Sequence, residues 1–471
     1  MAEEAELIKE IDLSGFGGIS EAFVIPEKKG PPGILCLQTA GIFMSSIYPQ
    51  MIRGMYGEGF KGYLSKVIKS LNITIPSLYP FHYLNKADRD LFCMTMTNWE
   101  GIQKWQFGKV NHDKYYCSHQ GESLVDYADL NNDGVDELVT IFAPGRLGVF
   151  SVESGRLLNE CKLPSDNFSL VRIAKTGLDE TNWTILAGVT EAAYPPHTYG
   201  NPLVLLDNDL NILAEYDIPY GLGHTVLVFD ADGDGFEEFL AGYTLLDHNG
   251  KIIWAAEGLE KCDSYLEAAR KHADCSIIID PTSKGQWKVA IAGSDRLYLF
   301  NNQGIKLWEC EAIHSQYVLL GKFDKNSRCD YLFHLQCRQK MELLDIDGRQ
   351  LWEGKLPANW PGGRPAAVPN DDCFHMGSPA SVWHDPLENG NDLIIYNEAG
   401  WPYAVNGYGE LCVTFRCTES TKEDIRKSIP KNHRPDDFGY GYRCLVLDLD
   451  LDSKEEVIIY NRNRAWIYKL T

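Results

Sequence analysis

The chain has no CxxC pair among its thirteen cysteines, no apolar run of membrane-helix length, and too few basic residues to balance its acids. Each shortage removes a class of explanation. Unpaired, scattered cysteines in an odd total argue against a zinc ribbon or a disulfide framework. They fit buried reduced thiols, and Cys36, Cys93 and Cys275 stand in apolar strand-like runs. With 44 Lys and Arg against 66 Asp and Glu, the formal charge is −22, so no basic surface is available to displace counterions from phosphates. A nucleic-acid partner is therefore excluded. Nothing approaches the ~20 apolar residues that a membrane helix needs. The start, MAEEAELIKEIDLSG, lacks the basic segment and apolar run of a secretory signal. The expectation is a soluble cytoplasmic protein without a membrane partner, unless the chain was trimmed; its oligomeric state is left open.

What is present is a large apolar complement, 44% of 471 residues, arranged in a recurring unit. SLVDYADLNNDGVDELVTIFAPGRLGVFSVESGRLL from Ser123, HTVLVFDADGDGFEEFLAGYTLLDHNGKIIW from His224 and RCLVLDLDLDSKEEVIIYNRNRAWIYKL from Arg443 share one order. Each is a β-run, an acidic turn, a second β-run, a short turn and a third β-run. Less acidic copies begin at Leu170, Cys275, Tyr317 and Ala380. A spacing of about 45 to 60 residues with four strands per unit is that of a propeller blade. The fold class is all-β, one β-propeller domain spanning 1–471 with seven or eight four-stranded blades, eight fitting better. The last copy has only three strands, and ELIKEIDL near the N-terminus supplies its fourth, closing the ring. A further blade draws on AFVIPEKKGPPGILCLQTA and HYLNKADRDLFCMTM. Between these, residues 43–73 break the strand rhythm and are expected to form a small helical insertion.

Two motifs decorate the blades. Fourth strands repeat DxxGxxxW, ending in Trp254, Trp308 and Trp352. This resembles the tryptophan-docking motif of quinoprotein propellers and reads here as packing between blades. The acidic turns place oxygen ligands at loop positions 1, 3, 5 and 9: Asp129, Asn131, Asp133 and Glu137; Asp230, Asp232, Asp234 and Glu238; Asp448, Asp450, Asp452 and Glu456. An EF-hand would need flanking helices and a glutamate at position 12. Strand-flanked loops of this kind resemble the calcium loops of integrin-type blades, which makes structural Ca2+, able also to bridge a substrate, the expected ion. The alternative is a turn held by its own Asx hydrogen bonds.

Chemistry is sought just ahead of the first strands. Counting back from each anchor aspartate reaches His119, His224, His272, His314, His375 and Tyr442, always by an even number. Even offsets keep one strand face, and the innermost strand lines the channel. Turns between second and third strands open on the same end. They carry Arg146, Arg296, Arg338, Arg462 and Arg464, and a longer one carries Tyr194, His197 and Tyr199. Arginines in an acidic protein suggest an anion pocket.

Such a pocket suits β-elimination on a uronic acid, where the weakly acidic C5 proton needs a neutralised carboxylate, a base, and an acid for the departing oxygen. His224 and His272 are the favoured base or carboxylate-contact pair, with His119 and His314 beside them, and Tyr199 or Tyr442 is the acid. Arg146, Arg296, Arg338 and Arg464, with His197 and His375, bind the substrate. No pair of carboxyl groups for ordinary glycoside hydrolysis is evident at the rim. The GxGHxxxxxDxDGDGxxE pattern from Gly221, with HADCSIIID and IHSQYVLLGKFD downstream, resembles propeller polysaccharide lyases of the rhamnogalacturonan, ulvan and gum-arabic type over about residues 119–471. That resemblance implies a channel-mouth site, His and Tyr chemistry, an Arg-bound uronate and calcium. The substrate would be an anionic oligosaccharide or polysaccharide. An α-rhamnosidase-type hydrolase and a noncatalytic carbohydrate-binding or scaffolding propeller stay open beside the lyase, since a fold hosts many functions.

Overall fold

Segments such as WTILAG and KVAIAG are apolar almost throughout, which a strand tolerates only when both its faces are covered. In the computed structural model every such strand is sandwiched between neighbouring sheets. The structure describes residues 2–19, 21–27, 31–39, 92–110, 124–165, 168–176, 183–189, 202–257, 272–281, 286–293, 295–312, 315–324, 331–336, 340–355, 381–396, 401–416, 443–461 and 463–470.

The chain begins with β1 (Glu3–Asp12). Blade 1 follows as β2 (Glu21–Ile25), β3 (Gly33–Thr39), β4 (Phe92–Thr97) and β5 (Gln103–Gly108). Blade 2 is β6 (Val125–Ala128), β7 (Glu137–Ala143), β8 (Arg146–Ser151) and β9 (Leu157–Lys162). Blade 3 is β10 (Leu170–Lys175), β11 (Trp183–Gly188), β12 (Leu203–Asp207) and β13 (Ile212–Tyr216). Blade 4 is β14 (Val226–Phe229), β15 (Glu238–Ala241), β16 (Thr244–Leu246) and β17 (Ile252–Ala255). Blade 5 is β18 (Ala273–Ile279), β19 (Lys288–Gly293), β20 (Arg296–Asn301) and β21 (Lys306–Glu311). Blade 6 is β22 (Ser315–Gly321), β23 (Tyr331–Gln336), β24 (Lys340–Leu344) and β25 (Gln350–Lys355). Blade 7 is β26 (Ser381–Trp383), β27 (Leu393–Tyr396), β28 (Tyr403–Val405) and β29 (Leu411–Phe415). Blade 8 takes β30 (Arg443–Leu447), β31 (Glu456–Tyr460) and β32 (Arg464–Lys469) from the C-terminus and β1 from the N-terminus.

The propeller expected from the repeat is thus present, with eight blades. Its closure goes one step further than the shared blade. β1 pairs antiparallel with β32 and also parallel with β29, through Glu3 to Val413, Glu4 to Thr414 and Ala5 to Phe415. Blades 7 and 8 become one eight-stranded sheet. The expected helical insertion at 43–73 lies outside the described residues.

Two-residue periodicity explains the packing. Ile185 and Ala187 of β11 face blade 2, whereas Leu186 between them faces blade 4. Val289 and Ile291 of β19 face blade 4, whereas Ala290 and Ala292 face blade 6. The core is therefore a ring of apolar seams rather than one central mass. The fourth-strand tryptophans cross those seams as expected. Trp254 donates its indole N–H to Asn302 O at 3.0 Å and Trp308 donates to Ile346 O at 3.1 Å, each in the next blade. Gly304 and Gly348 lie under these rings at positive φ, and a Cβ there would come within 2.7 Å of the indole. Removing such a ring would cost roughly 3–5 kcal/mol.

Each outer strand carries a bulge at one equivalent place. The unpaired residues are Ile8, Lys104, Leu158, Leu213, Ile253, Leu307, Leu351 and Cys412. A bulge sharpens the twist and spoils the edge as a template for another strand, so the six outer edges left open beside the β29–β1 junction do not invite sheet extension. It also turns an extra side chain outward, which accounts for exposed aliphatics such as Leu213 at 58%.

Candidate active site

The start of blade 4 is built to touch blade 5. In Gly221-Leu222-Gly223-His224 both glycines have positive φ, and a Cβ on Gly223 would lie 2.6 Å from Ala273 O. Only glycine allows that approach. The next N–H, that of His224, donates to Ala273 O at 2.9 Å. With the backbones joined there, the imidazoles of His224 and His272 stack at 4.7 Å between centroids and 29° between planes. The two histidines favoured from the sequence, 48 positions apart, are adjacent in space.

The structure adds a carboxylate. Asp274 Oδ1 lies 3.2 Å from His272 Nε2 and 3.8 Å from His224 Nε2. Asp274 falls at a register shift between β18 and β19, where Ala273 pairs with Gly293 and Cys275 with Ala292. Bulges re-aim side chains in this way. All three residues are nearly buried, at 7–8% exposure, on the innermost strands or immediately before them. Asp274 is not among the residues nominated from the sequence; it is one carboxylate, not the pair that glycoside hydrolysis would require. Its trace in the sequence is the H-x-D spacing within HADC, but the bulge, not alternation along one face, aims the carboxylate at the rings.

A carboxylate only accepts, so Nε2 of His272 carries the proton and Nδ1 the basic lone pair. Ligand atoms of His224, His272 and Asp274 all lie within 4.8 Å of one another. The trio fits a divalent cation as well as a proton relay.

The arginines are placed elsewhere than expected. Arg146, Arg296 and Arg464 each begin a third strand, roughly 10 Å outward from the first strand at ordinary strand spacing. Each is ion-paired to its own blade's outermost strand: Arg146 to Glu160, Arg296 to Glu309 at 3.0 Å, and Arg464 to Glu10. They do not gather with the histidines, because cross-strand carboxylates hold them at the blade exterior. Guanidinium groups on innermost strands are instead those of Arg172 and Arg443. Arg172 Nε donates to Val226 O at 3.0 Å, two residues beyond His224, and Arg443 pairs with buried Glu21. Asp126, on the first strand of blade 2, has its carboxyl pushed up by burial while Arg172 pulls it down. His119, His197, Tyr199, His314, Arg338, His375, Tyr442, Tyr194 and Arg462 lie outside the described residues.

Phe23, Val24, Leu445 and Val446 line a cavity of about 260 Å³ between the first strands of blades 8, 1 and 2.

The acidic turns join first to second strands, as expected. In blade 4, Asp230 accepts from Gly233 and Gly235 N–H, Asp232 from Asp234, and Asp234 from Phe236. In blade 2, Asp129 accepts from Asp133 and Gly134 N–H, Asn131 from Asp133, and Asp133 from Val135. Blade 8 repeats it with Asp448, Asp450 and Asp452. The three carboxylates of the blade 4 loop cluster closely enough to share a cation. In blade 8, Lys469 Nζ contacts Asp450 at 2.8 Å, Asp452 at 2.7 Å and Glu456 at 2.9 Å. An ammonium is thus paired with three of that loop's four expected ligands, while Asp448, Asp450 and Glu456 also lie close enough together to share a cation. Burial, reinforced by the neighbouring aspartates, pushes Glu137 and Glu238 up to about 7, against the pull of the Leu130 and Ala231 N–H groups.

No protein-family model and no curated protein matches the chain by sequence. Solved structures do match by shape. The biofilm matrix protein Bap1 of V. cholerae aligns with a TM-score of 0.58 at 9% identity, over 100% of this chain and 91% of its own. A Bacillus licheniformis rhamnogalacturonan lyase aligns at 0.54 and 14% identity, over 99% and 75%. The exotype rhamnogalacturonan lyase YesX aligns at 0.54 and 14%, over 99% and 74%. At these identities the likeness is one of fold, shared with lyases and with a matrix protein alike. Among the described residues, no helix is long and apolar enough to cross a membrane.

Proposed function

We propose that this chain is a carbohydrate-active lyase that cleaves a uronate-containing glycan of the rhamnose-uronate type by β-elimination. The convergence of His224, His272 and Asp274 on one seam carries the reading. Asp274 holds His272 in the tautomer whose Nδ1 takes the C5 proton. His224, stacked against it, supplies the neighbouring contact to the uronate carboxylate. A divalent cation held by the trio would be an alternative to that relay, since it would displace the Nε2 proton and leave the proton of the His272 ring on Nδ1. Tyr442 or Tyr199 returns a proton to the departing C4 oxygen. A glycosidase reading is weaker here, since it asks for two carboxyl groups about 5 to 9.5 Å apart, and Asp274 is spoken for by imidazoles. The noncatalytic reading draws support from the low exposure of the trio and from the fold shared with Bap1.

Calcium belongs, in this reading, to the Asp230-Asp232-Asp234 loop as a structural ion. That loop offers a hard, all-oxygen donor set.

The test is a panel of uronate glycans followed by the ultraviolet absorbance of an unsaturated uronate. On an accepted substrate, His272→Ala should lower turnover by about 10²-fold or more, with binding retained. Reducing sugar without that absorbance would establish the hydrolase instead. Glycan binding with neither product would establish the noncatalytic propeller.

A further inference from the structure

A second cluster of chemistry-bearing side chains lies between blades 5 and 6 and is untouched by the proposed reaction. His334 of β23 has no exposed surface. Its Nδ1 lies 3.0 Å from Glu342 Oε2 of β24, and its Nε2 lies 2.5 Å from Ser315 Oγ of β22. Lys340 Nζ holds the other carboxylate oxygen of Glu342 at 2.7 Å. From the neighbouring blade, the Cys310 sulfur of β21 comes within 4.8 Å of ligand atoms of both His334 and Glu342. A hydrogen-bonded chain from Ser315 to Lys340 links four of these groups; the thiol, hydrogen-bonded to the Leu297 backbone in its own blade, reaches them across the seam.

We propose that Cys310, His334 and Glu342 form a binding site for a thiophilic divalent metal, zinc by its chemistry, that staples blade 5 to blade 6. The donor set combines thiolate, imidazole and carboxylate, the three ligand types zinc takes in proteins, and a water completes the tetrahedron. Nδ1 and Oε2, 3.0 Å apart, need to part by only a few tenths of an ångström to become two ligands of one tetrahedral metal. Ser315 and Lys340 act as the outer partners that fix ligand orientation in such sites. Binding needs two proton adjustments. The Nδ1 proton of His334 is exchanged for one on Nε2, with Ser315 Oγ turning from donor to acceptor. The Cys310 thiol gives its proton to solvent as the sulfur–metal bond forms. Without metal that thiol stays protonated, since burial pushes it up to about 11. No CxxC spacing announces the site, because its ligands come from three strands of two blades.

The experiment uses the full chain, loaded with zinc or with cobalt(II) as the spectroscopic probe. Metal content by mass spectrometry should fall by about one equivalent in Cys310→Ser, and the cobalt–thiolate charge-transfer band should vanish. Cys412→Ser should leave both unchanged. Ser315→Ala should keep the metal with affinity about 10-fold to 100-fold weaker. X-ray absorption on the wild-type zinc protein should find one sulfur among nitrogen and oxygen ligands, a result that does not depend on any variant folding. A wild-type chain that takes up no zinc, a Cys310→Ser chain that keeps its full content and band, or a sulfur-free shell would overturn the proposal.

Discussion

The acidic loops of blade 4 and blade 8 are nearly the same object chemically and differ in how their charge is met. Both set aspartates at positions 1, 3 and 5, both use the second and third of these to accept from the N–H groups of positions 5 and 7, and both bury a glutamate at position 9; the first accepts from positions 4 and 6 in blade 4 and from 5 and 6 in blade 8. Glu238 accepts from Ala231 N–H at 2.7 Å and Glu456 from Leu449 N–H at 2.8 Å. A tryptophan from the adjacent blade caps each: Trp287 donates to Ala231 O and Trp383 to Glu455 O. The difference sits across the ladder. Lys469 is one step beyond the Val457–Tyr468 pair and so faces Glu456, whereas the same register in blade 4 puts Asp247 opposite Glu238. Blade 8 carries its own cation; blade 4 adds another acid. Blade 2 is intermediate, with Ser151 opposite Glu137 and the Asn131 amide donating to it at 3.0 Å. A repeated motif thus fixes loop geometry, while a residue on a different strand decides whether an ion is needed.

The largest expected effect breaks blade 8. Lys469→Met leaves Glu456 buried without its partner and should cost about 3 kcal/mol or more in denaturant unfolding with chelator present. Unchanged stability would make the ammonium incidental. Next, calcium at about a hundredfold excess over Kd should stabilise the wild-type chain by about 2.7 kcal/mol. That gain should disappear in Asp232→Asn/Asp234→Asn but persist in Asp450→Asn, with isothermal titration separating the sites. Asp247→Lys should copy the blade 8 solution into blade 4, raising stability in chelator by about 1 kcal/mol and abolishing most of the calcium response. The smallest effect is a pH slope. Glu238 has a folded pKa of about 7 against a usual value of 4.5, so the folded state binds more protons between these values. Its contribution is fully present below about pH 4.5 and is lost as pH rises through 7. Thermal unfolding in chelator should show that decline, with Glu137 adding the same sign, and calcium should flatten it.

How much of the site was legible follows from which residues are local to one another. The pairing of His224 with His272 was readable because each precedes its own blade's anchor aspartate by an even number of residues, six and eight. Asp274 escaped because a bulge, not plain alternation, aims it. The arginines misled: a turn position names the end of the blade, but Glu160, Glu309 and Glu10 on the outermost strands determine where the guanidinium groups lie. Glu21 and Glu342 gave no sequence signal, since their partners come from other blades or strands. The tryptophan motif was readable as packing because its ring and its glycine recur at one spacing.

By itself the sequence determined the repeat, the acidic turns, the alternation that makes both faces of each blade apolar, and the use of both chain ends in the last blade. Those depend on contacts within a strand or a turn, where side-chain period and hydrogen-bonding range are set by backbone geometry alone. Tertiary structure alone decided that β1 would also join β29, that two imidazoles would meet one carboxylate, and that one acidic loop would enclose an ammonium. Each of these rests on the angle and spacing between elements far apart in the chain. Small rotations of a blade move a side chain by more than a hydrogen-bond length.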